Sequence, residues 1–265
     1  MHTESPEMLD KVARSLPRQS FSVVIITKNA ATQIAACLDS ASFADEMLVV
    51  DSASSDGTAE LAAQRGARVV QQEWLGFGRQ KQFAVEAARH DWVLCLDADE
   101  RVSEPLRAGI LAALAAPAAQ AYAMPRCNRF MGRWLRHGEG YPDWSLRLFD
   151  RRHARWSDDP VHEKVITEAP VAHIKADLLH DSAETLAGYL DKQNHYTSMQ
   201  AETLFKAGKR AGVAQLLLSP ALRFVKFYFL RLGFLDGTAG LVHIAIGCCN
   251  SFNKYAKLMA LQRNS

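Results

Sequence analysis

Short apolar runs alternate with helical stretches over the first hundred residues. Runs rich in β-branched and other apolar residues at 21–27, 47–50, 68–72 and 92–96 predict strands, of which the first and the last are expected to be buried. Between them apolar residues recur at helical spacing, and Gly66 is well suited to end a helix. This β-α-β-α-β-α-β order predicts a parallel sheet with helices on both faces.

The pattern changes after an alanine-rich stretch at 106–116, which predicts a helix. Residues 121–180 alternate more strongly and carry many aromatic residues and arginines, which favours mixed or antiparallel strands joined by long loops. From 181 onward the spacing is helical to the end of the chain. We therefore expect one compact α/β domain with a helical tail.

The fourth apolar run ends at two carboxylates, Asp97 and Asp99, in a D-x-D pattern. Alternate residues of a strand point to the same side, so both carboxylates are expected on one face. Two such oxygen donors at the carboxyl end of a buried strand can bind Mg²⁺ or Mn²⁺, and open α/β sheets bind ligands at this edge. Alternatively, Asp97 ends the strand while Asp99 or Ser103 caps the next helix.

Composition and charge narrow the class of protein. Hydrophobic residues make up 48% and charged residues 23% of 265 residues, as in ordinary globular proteins. No G-x-G-x-x-G follows the first strand, which argues against a dinucleotide-binding fold. Residues 200–265 carry nine Lys/Arg and two Asp/Glu, and this basic segment indicates an anionic partner. We expect a membrane surface rather than nucleic acid, because no nucleic-acid-binding module is recognisable.

Cysteine use and the chain's ends bear on its location. The five cysteines form no C-x-x-C pair, which favours a reducing, cytoplasmic compartment, and Cys37 and Cys95 are expected in the core. Residues 1–20 are polar, so we expect no signal peptide there. The nearest approach to a membrane span, 237–253, carries no formal charge but is too polar for a convincing span.

Several motifs near the ends of the predicted strands resemble those of family-2 nucleotide-sugar glycosyltransferases of the GT-A fold. These motifs are Val23-Val24-Ile25-Ile26-Thr27-Lys28-Asn29, Val49-Val50-Asp51-Ser52, Ser55-Asp56-Gly57-Thr58, Gly76-Phe77-Gly78 with Gln80-Lys81, and Leu96-Asp97-Ala98-Asp99-Glu100.

Within that family the chain is most similar to bacterial lipopolysaccharide inner-core β-1,4-glucosyltransferases. The narrower likeness depends on Tyr141-Pro142-Asp143, Leu146-Arg147-Leu148-Phe149, Val161-His162-Glu163, His180-Asp181-Ser182, Gly233-Phe234-Leu235-Asp236-Gly237 and Phe252-Asn253-Lys254-Tyr255-Ala256-Lys257-Leu258. It covers about residues 21–260.

The resemblance implies a Rossmann-like three-layer sandwich with a mostly parallel sheet and a C-terminal helical extension. On this basis we expect a polar extension over 1–20 and a catalytic domain over 21–182. The catalytic domain divides into a nucleotide-binding half, 21–100, and an acceptor half, 101–182. A basic helical tail follows over 183–265. In it Arg223, Lys226 and Arg231 fall on one side at helical spacing, which favours either a membrane-associating segment or a helix packed on the catalytic domain with its basic side exposed.

The resemblance also implies roles for the strand-end residues. Asp99 would bind the divalent metal, and Asp97 would contact ribose or a metal-bound water. Asp51 would accept a hydrogen bond from uracil, while Thr27 and Asn29 would line the nucleoside pocket. Alternatively, Asp51 caps the serine-rich turn that follows it.

Two further positive or titratable residues complete the expected donor site. Lys81 can offset phosphate charge, or it can be a solvated lysine on a helix face. His180 can add a nitrogen ligand to the metal, or it can simply be hydrogen-bonded. The family usually has an acidic residue after the asparagine, whereas this chain has Ala30, so the contribution of that side chain near the ribose is missing.

Inverting transfer requires a carboxylate that takes the proton of the acceptor hydroxyl. Glu163, Asp143, Asp158 and Asp159 follow the D-x-D pattern. We choose Glu163, whose position is like that of the family's base, with Asp143 in reserve. The competing interpretation pairs Glu163 with Lys164 at the surface.

These inferences lead to one expected function and several rivals. The expected enzyme is a metal-dependent inverting transferase that moves a hexose, with UDP-glucose as the first-choice donor, to an inner-core heptose of lipopolysaccharide. It would act at the cytoplasmic face of the inner membrane as a peripheral protein. The rivals are a transferase with a polyprenyl-phosphate acceptor, a sugar-1-phosphate nucleotidyltransferase, and a sugar-nucleotide-binding protein without catalysis.

Overall fold

The computed structural model describes residues 17–159, 163–182 and 185–263. Most of the predicted polar extension, and Val161 and His162 of the quoted motifs, lie outside these ranges. The chain divides into two compact units. The sheet unit comprises Met1–Arg126 and Asp143–His180, and the helical unit comprises Cys127–Pro142 and Asp181–Ser265.

The sheet unit begins with the predicted alternation of strands and helices. Its elements are β1 Phe21–Thr27, α1 Ile34–Ala41, β2 Glu46–Asp51, α2 Thr58–Gln64, β3 Arg68–Gln71, α3 Phe77–Ala87, β4 Trp92–Asp97, β5 Glu100–Val102 and α4 Glu104–Ala115. Shorter strands follow: β6 Ala121–Phe130, β7 Arg133–Trp134, β8 Asp143–Asp150, β9 Ala154–Trp156, β10 Val165–Thr167, β11 Val171–His173 and β12 Leu178–His180. β7 and the end of β6 belong to the helical unit.

The order of strands in the main sheet brings several strand ends together. The order is β3-β2-β1-β4-β8-β6-β12-β5, with β3, β2, β1 and β4 parallel. β8 runs antiparallel to β4. The carboxyl ends of β1, β2 and β4 therefore meet the first residues of β8 at one edge.

Helices cover both faces of this sheet. Ile34, Leu38 and Leu106, from α1 and α4, are fully buried on one side. Ala84 and Val85 of α3 pack with Trp156 of β9 on the other side. Burial of each large aliphatic side chain contributes roughly 1.5–3 kcal/mol, so the two apolar layers hold the sheet between them. The predicted α/β three-layer sandwich of the GT-A type is confirmed.

Two smaller predictions also concern this core. Cys37 and Cys95 are buried, as expected, and burial raises the pKa of the Cys95 thiol to about 12. The cap of α4 is Ser103, whose hydroxyl accepts a hydrogen bond of 3.3 Å from the Leu106 backbone N–H. Asp99 is therefore not the cap of this helix.

The helical unit contains the predicted C-terminal helices with interruptions. They are α5 Leu186–Lys206, α6 Val213–Phe224, a π-helix Val225–Leu230, a 3₁₀-helix Gly233–Asp236 and α7 Gly237–Arg263. Among the described residues, Val213–Leu230 is the one helical stretch that could cross a membrane by length and composition. The sequence pattern pointed to 237–253 as the nearest approach to a span, and that choice was wrong.

The Gly233–Gly237 motif has a packing role in this unit. Asp236 is buried and accepts hydrogen bonds from the His137 backbone N–H at 2.8 Å and from its ring Nδ1 at 3.0 Å. A Cβ at Gly233 would lie 2.6 Å from the Phe227 backbone carbonyl oxygen. Only glycine fits there, so this part of the motif stabilises the helical unit.

Candidate active site

The loops after β1 and β2 are tied together by side-chain hydrogen bonds. Asn29 has a left-handed backbone with φ of 52°, and its Oδ1 accepts a hydrogen bond of 2.9 Å from the Ser55 N–H. Its own N–H donates to Ser54 Oγ at 2.8 Å. Ala30 is buried, and its N–H donates to Thr58 Oγ1 at 2.8 Å. These bonds fix the two loops as one platform at the sheet edge.

Asp51 and Thr27 lie side by side in the strand register of this edge. Asp51 is fully buried and accepts hydrogen bonds from the Ser54 N–H, at 2.9 Å, and from the Ser54 hydroxyl. It therefore does cap the serine-rich turn, although each carboxylate oxygen has a further lone pair.

Thr27 is 5% exposed, and its hydroxyl has no hydrogen-bond partner within the described part of the chain. A buried hydroxyl without a partner is costly unless a ligand satisfies it.

The two aspartates of the D-x-D pattern have different surroundings. β4 ends at Asp97, and Ala98 and Asp99 form a turn, so the expected arrangement on one strand face is wrong. The Asp97 carboxylate lies 3.1 Å from Lys81 Nζ and 2.8 Å from Arg147 Nη2 through different oxygens. The chain turns there because β5 starts at Glu100, which pairs with β12 instead of continuing β4.

Asp99 faces a histidine. His180 Nε2 lies 3.2 Å from Asp99 Oδ2, and β12 positions His180 directly opposite Glu100 of β5. A carboxylate and an imidazole at this separation are suitable ligands for one divalent ion. Within the described ranges no group of three His, Cys, Asp or Glu residues is placed to bind a metal. The protein therefore offers two ligands, and Mg²⁺ or Mn²⁺ commonly takes its others from phosphate and water.

Lys81 links the D-x-D turn to the candidate base. Its side chain is 9% exposed, so the interpretation as a solvated lysine is wrong. Its Nζ lies 3.2 Å from Glu163 Oε1 and 4.8 Å from the centre of the Trp156 ring. Glu163 thus pairs with Lys81 from α3 rather than with its neighbour Lys164.

Gly78 explains how α3 comes so close to the segment that carries Glu163. A Cβ at Gly78 would lie 2.2 Å from the Ser157 carbonyl oxygen and 3.4 Å from Glu163 Cβ. The glycine therefore permits a backbone approach that any side chain would prevent. Gln80 of the same motif is buried and donates to Ser52 Oγ at 3.0 Å, which ties α3 to the end of β2.

Arg147 of β8 is the centre of a buried charge cluster. One guanidinium nitrogen, Nη2, donates to Glu100 Oε1 at 2.6 Å and to Asp97 Oδ2 at 2.8 Å. Burial alone would raise the pKa of Asp97, but Arg147 and Lys81 outweigh it and hold the pKa well below its usual range. Burial raises the pKa of Glu100. We predicted no role for Arg147 from the sequence, although a lone arginine within an apolar strand is itself a signal of a buried ion pair.

A cavity of about 460 Å³ joins these groups in the sheet unit. Its charged lining consists of Lys81, Asp97, Arg126, Asp143, Arg147, Glu163 and Lys164. Asp143, the reserve base, forms an ion pair of 2.9 Å with Arg126. Trp144 and Trp156 add flat apolar walls. Both candidate bases therefore line the same cavity as Lys81 and Asp97, and mixed charges beside tryptophans suit a polar, ring-shaped ligand.

Comparisons with known proteins identify the family of this chain. The model of glycosyl transferase family 2 matches residues 22–171. A Rickettsia typhi protein named as an uncharacterised glycosyltransferase is 31% identical over 93% of this chain and 89% of its own length. The lipopolysaccharide core biosynthesis glycosyltransferase LpsC of Rhizobium meliloti is 28% identical over 92% of this chain and 93% of its own length.

Among solved structures, TarS of S. aureus with UDP-GlcNAc covers 92% of both chains with a TM-score of 0.48 and 14% identity. Mannosyl-3-phosphoglycerate synthase of Rubrobacter xylanophilus covers 79% of this chain and 81% of its own, with a TM-score of 0.47 and 19% identity. The family assignment depends on the sequence matches, since these structural scores are low. By its family match and its relatives, this chain belongs to glycosyl transferase family 2 and is a glycosyltransferase.

Proposed function

We propose that this glycosyltransferase moves a hexose, glucose from UDP-glucose in the first instance, onto an inner-core heptose of lipopolysaccharide. The observation that carries this proposal is the juxtaposition of Asp99 with His180 in a unit whose cavity holds two candidate bases. The name of the LpsC relative supports the lipopolysaccharide core as the acceptor class. The enzyme would act on this lipid at the cytoplasmic face of the inner membrane.

A divalent ion fits the residues present. Asp99 and His180 would bind it, whereas Asp97 is paired with two cations and is better suited to contact the ribose or a water molecule. When bound, Mg²⁺ or Mn²⁺ neutralises the negative charge that develops on the leaving diphosphate. Lys81, which already sits beside Asp97, adds a fixed positive charge for the same phosphates.

The nucleoside would lie on the platform formed by the loops after β1 and β2. The unpartnered Thr27 hydroxyl is available to a ribose or uracil oxygen. Asp51 would accept from the uracil N–H with its free lone pairs, and Asn29 would border the same pocket.

The base proposed for the acceptor hydroxyl is Glu163. It lines the cavity, and Lys81 Nζ, 3.2 Å from its Oε1, fixes the carboxylate in position there. Asp143 is the reserve base and is held by Arg126. An acceptor hydroxyl placed beside Glu163 would be deprotonated as it attacks the anomeric carbon, which inverts the configuration.

The test is UDP release by the full-length protein with a panel of UDP-sugars, Mn²⁺ or Mg²⁺, and separate acceptors. The acceptors are heptose-containing lipopolysaccharide precursor and polyprenyl phosphate, and Asp99→Asn is the matched inactive control. The proposal requires release of UDP that depends on UDP-glucose, metal and the lipopolysaccharide precursor together. If UDP were released only with polyprenyl phosphate, the proposed lipopolysaccharide acceptor would be wrong. If pyrophosphate were released instead of UDP, the proposed reaction class would be wrong.

A further inference from the structure

The segment from Val213 to Leu230 has two distinct faces. Leu216, Ser219, Arg223 and Phe227 are half-buried and recur every three or four residues, so they form the inner face. The Ser219 hydroxyl lies 2.7 Å from that of Ser251 in α7. On the same inner face the guanidinium of Arg223 pairs with the Glu139 carboxylate, which raises the pKa of Arg223. This face packs within the helical unit.

The outer face carries large apolar side chains in water-accessible positions. Leu217 is 60% exposed, Leu222 is 67% exposed and Leu230 is 75% exposed. Leu218 and Phe229 extend the same face, and the stretch contains no buried residue. A helix on the surface of a water-soluble protein normally has polar residues on this side.

The apolar face continues beyond the helix. Leu232, Phe234 and Leu235 are 44–46% exposed and follow directly in the chain. We call the exposed apolar residues from Val213 to Leu235 the apolar surface. Contiguous exposed patches of this kind mark binding sites for membranes or other proteins.

The charges around the apolar surface all have one sign. Residues 203–235 contain six Lys/Arg and no Asp or Glu. Lys209, Arg210, Lys226 and Arg231 are exposed, and the next carboxylate in the chain, Asp236, is buried. The expected alignment of Arg223 with Lys226 and Arg231 is wrong, because Arg223 turns inward to Glu139 before the wider π-helix begins.

We propose that the apolar surface inserts into the headgroup and upper acyl region of a bilayer that contains anionic lipid, with its helix parallel to the membrane plane. The leucines and phenylalanines would supply the apolar contact, and Lys226 and Arg231 would contact lipid phosphates. Membrane binding of this kind is independent of the proposed transfer reaction.

The structure favours this orientation over a spanning helix. Arg223 pairs with Glu139 near the middle of the stretch, and Ser219 is hydrogen-bonded to α7. The inner face of the stretch therefore makes polar contacts within the helical unit. Pro220 also lies within α6. A helix that crosses the hydrocarbon would carry this ion pair into lipid at high cost. A second copy packed on the same face by two-fold symmetry would bring together two surfaces whose charges are all positive.

The test is co-sedimentation of the full-length protein with vesicles of phosphatidylcholine alone or mixed with phosphatidylglycerol. We expect binding to the mixed vesicles that weakens at high salt. Leu222→Glu should lower the partition coefficient about tenfold or more, because it places a charge in the apolar contact. Lys226→Gln with Arg231→Gln should reduce the dependence on phosphatidylglycerol.

Matched controls come from exposed residues of the sheet unit. Ile166→Glu and Lys175→Gln make the same chemical changes outside the apolar surface and should bind like wild type. Circular dichroism and thermal unfolding would confirm that each variant is folded. The proposal fails if wild type stays in the supernatant with both vesicles, or if Leu222→Glu binds as well as Ile166→Glu. It also fails if the wild-type protein is a dimer that Leu222→Glu dissociates, and if neither the wild-type protein nor this variant binds vesicles.

Discussion

Arg147 Nη2 lies 2.8 Å from Asp97 Oδ2. Because of this contact Asp97, the last residue of β4, has different surroundings from Asp99 in the turn that follows. Arg147 and Lys81 take up different oxygens of Asp97, while Asp99 faces His180 in the adjoining turn. A carboxylate that already neutralises two cations has little capacity left for a metal ion. We therefore expect the pair to have different roles.

The first prediction concerns metal binding. Asp99→Asn and His180→Ala should each weaken Mn²⁺ binding in the presence of UDP at least tenfold, as loss of a metal ligand does. Asp97→Asn should change Mn²⁺ affinity only slightly. Electron paramagnetic resonance of free Mn²⁺ measures this without turnover. Equal weakening by Asp97→Asn and Asp99→Asn would show that both carboxylates bind the ion.

The second prediction concerns the base. Glu163→Gln should lower kcat for UDP release by about 10²–10⁴ with little change in donor KM, because the amide can still pair with Lys81 but cannot accept a proton. Glu168→Gln, five residues further on, is the control. If Asp143→Asn loses more activity than Glu163→Gln, Asp143 is the base.

The third prediction concerns stability of the charge cluster. Arg147→Met should lower the free energy of unfolding by about 3–5 kcal/mol, because the fully buried Glu100 would lose its cation beside Asp97, which keeps only Lys81. Adding Glu100→Gln should restore part of the loss, since one buried charge is removed. Urea unfolding measures each step, with exposed Arg155→Met as the control. An unchanged midpoint for Arg147→Met would show that the cluster adds nothing to folding.

The fourth prediction uses the unpartnered hydroxyl of Thr27. Thr27→Val should leave the free energy of unfolding unchanged or slightly higher, because no internal hydrogen bond is lost. It should weaken UDP binding by roughly 0.5–1.5 kcal/mol if a nucleoside satisfies the hydroxyl. Thr58→Val is the contrasting variant, since Thr58 Oγ1 accepts from the Ala30 N–H at 2.8 Å. Calorimetry with UDP and urea unfolding separate the two effects, and unaltered UDP affinity would remove Thr27 from the pocket.

The fifth prediction concerns pH. Glu46 is buried and accepts hydrogen bonds of 2.6 Å from Ser22, 2.7 Å from the Arg89 N–H and 2.8 Å from Arg68. Burial would raise the pKa of Glu46, but these bonds outweigh it and lower the pKa. The stabilising contribution is therefore present above the unfolded pKa of about 4.3 and is lost as pH falls through the lower folded value.

Glu46→Gln tests this sign. It should lower the free energy of unfolding by about 1–3 kcal/mol at neutral pH and by less in acid. Exposed Glu73→Gln should change it little at any pH. Urea unfolding at neutral pH and at pH values below the folded pKa measures the difference. A loss that stayed constant with pH would show that the ionised form of Glu46 is not what stabilises the fold.

The sequence by itself determined the first four strands, the helices between them and the edge of the sheet where the polar strand ends meet. Apolar runs such as 21–27 and 92–96 have few alternatives to buried parallel strands, and strand order then brings Thr27, Asp51 and Asp97 to one edge. Family membership could likewise be inferred from local motifs, because each motif lies where a strand ends.

Only the tertiary structure decided which side chains meet. Arg147 is fifty residues from Asp97 in the chain, and His180 is eighty-one from Asp99. Such pairs depend on β8 and β12 entering the sheet beside β4 and β5, which local periodicity does not encode. For the same reason the sequence did not reveal that the apolar face of α6 is exposed. An apolar helix looks alike in sequence whether it is buried or open to solvent, and only its packing partners distinguish the two.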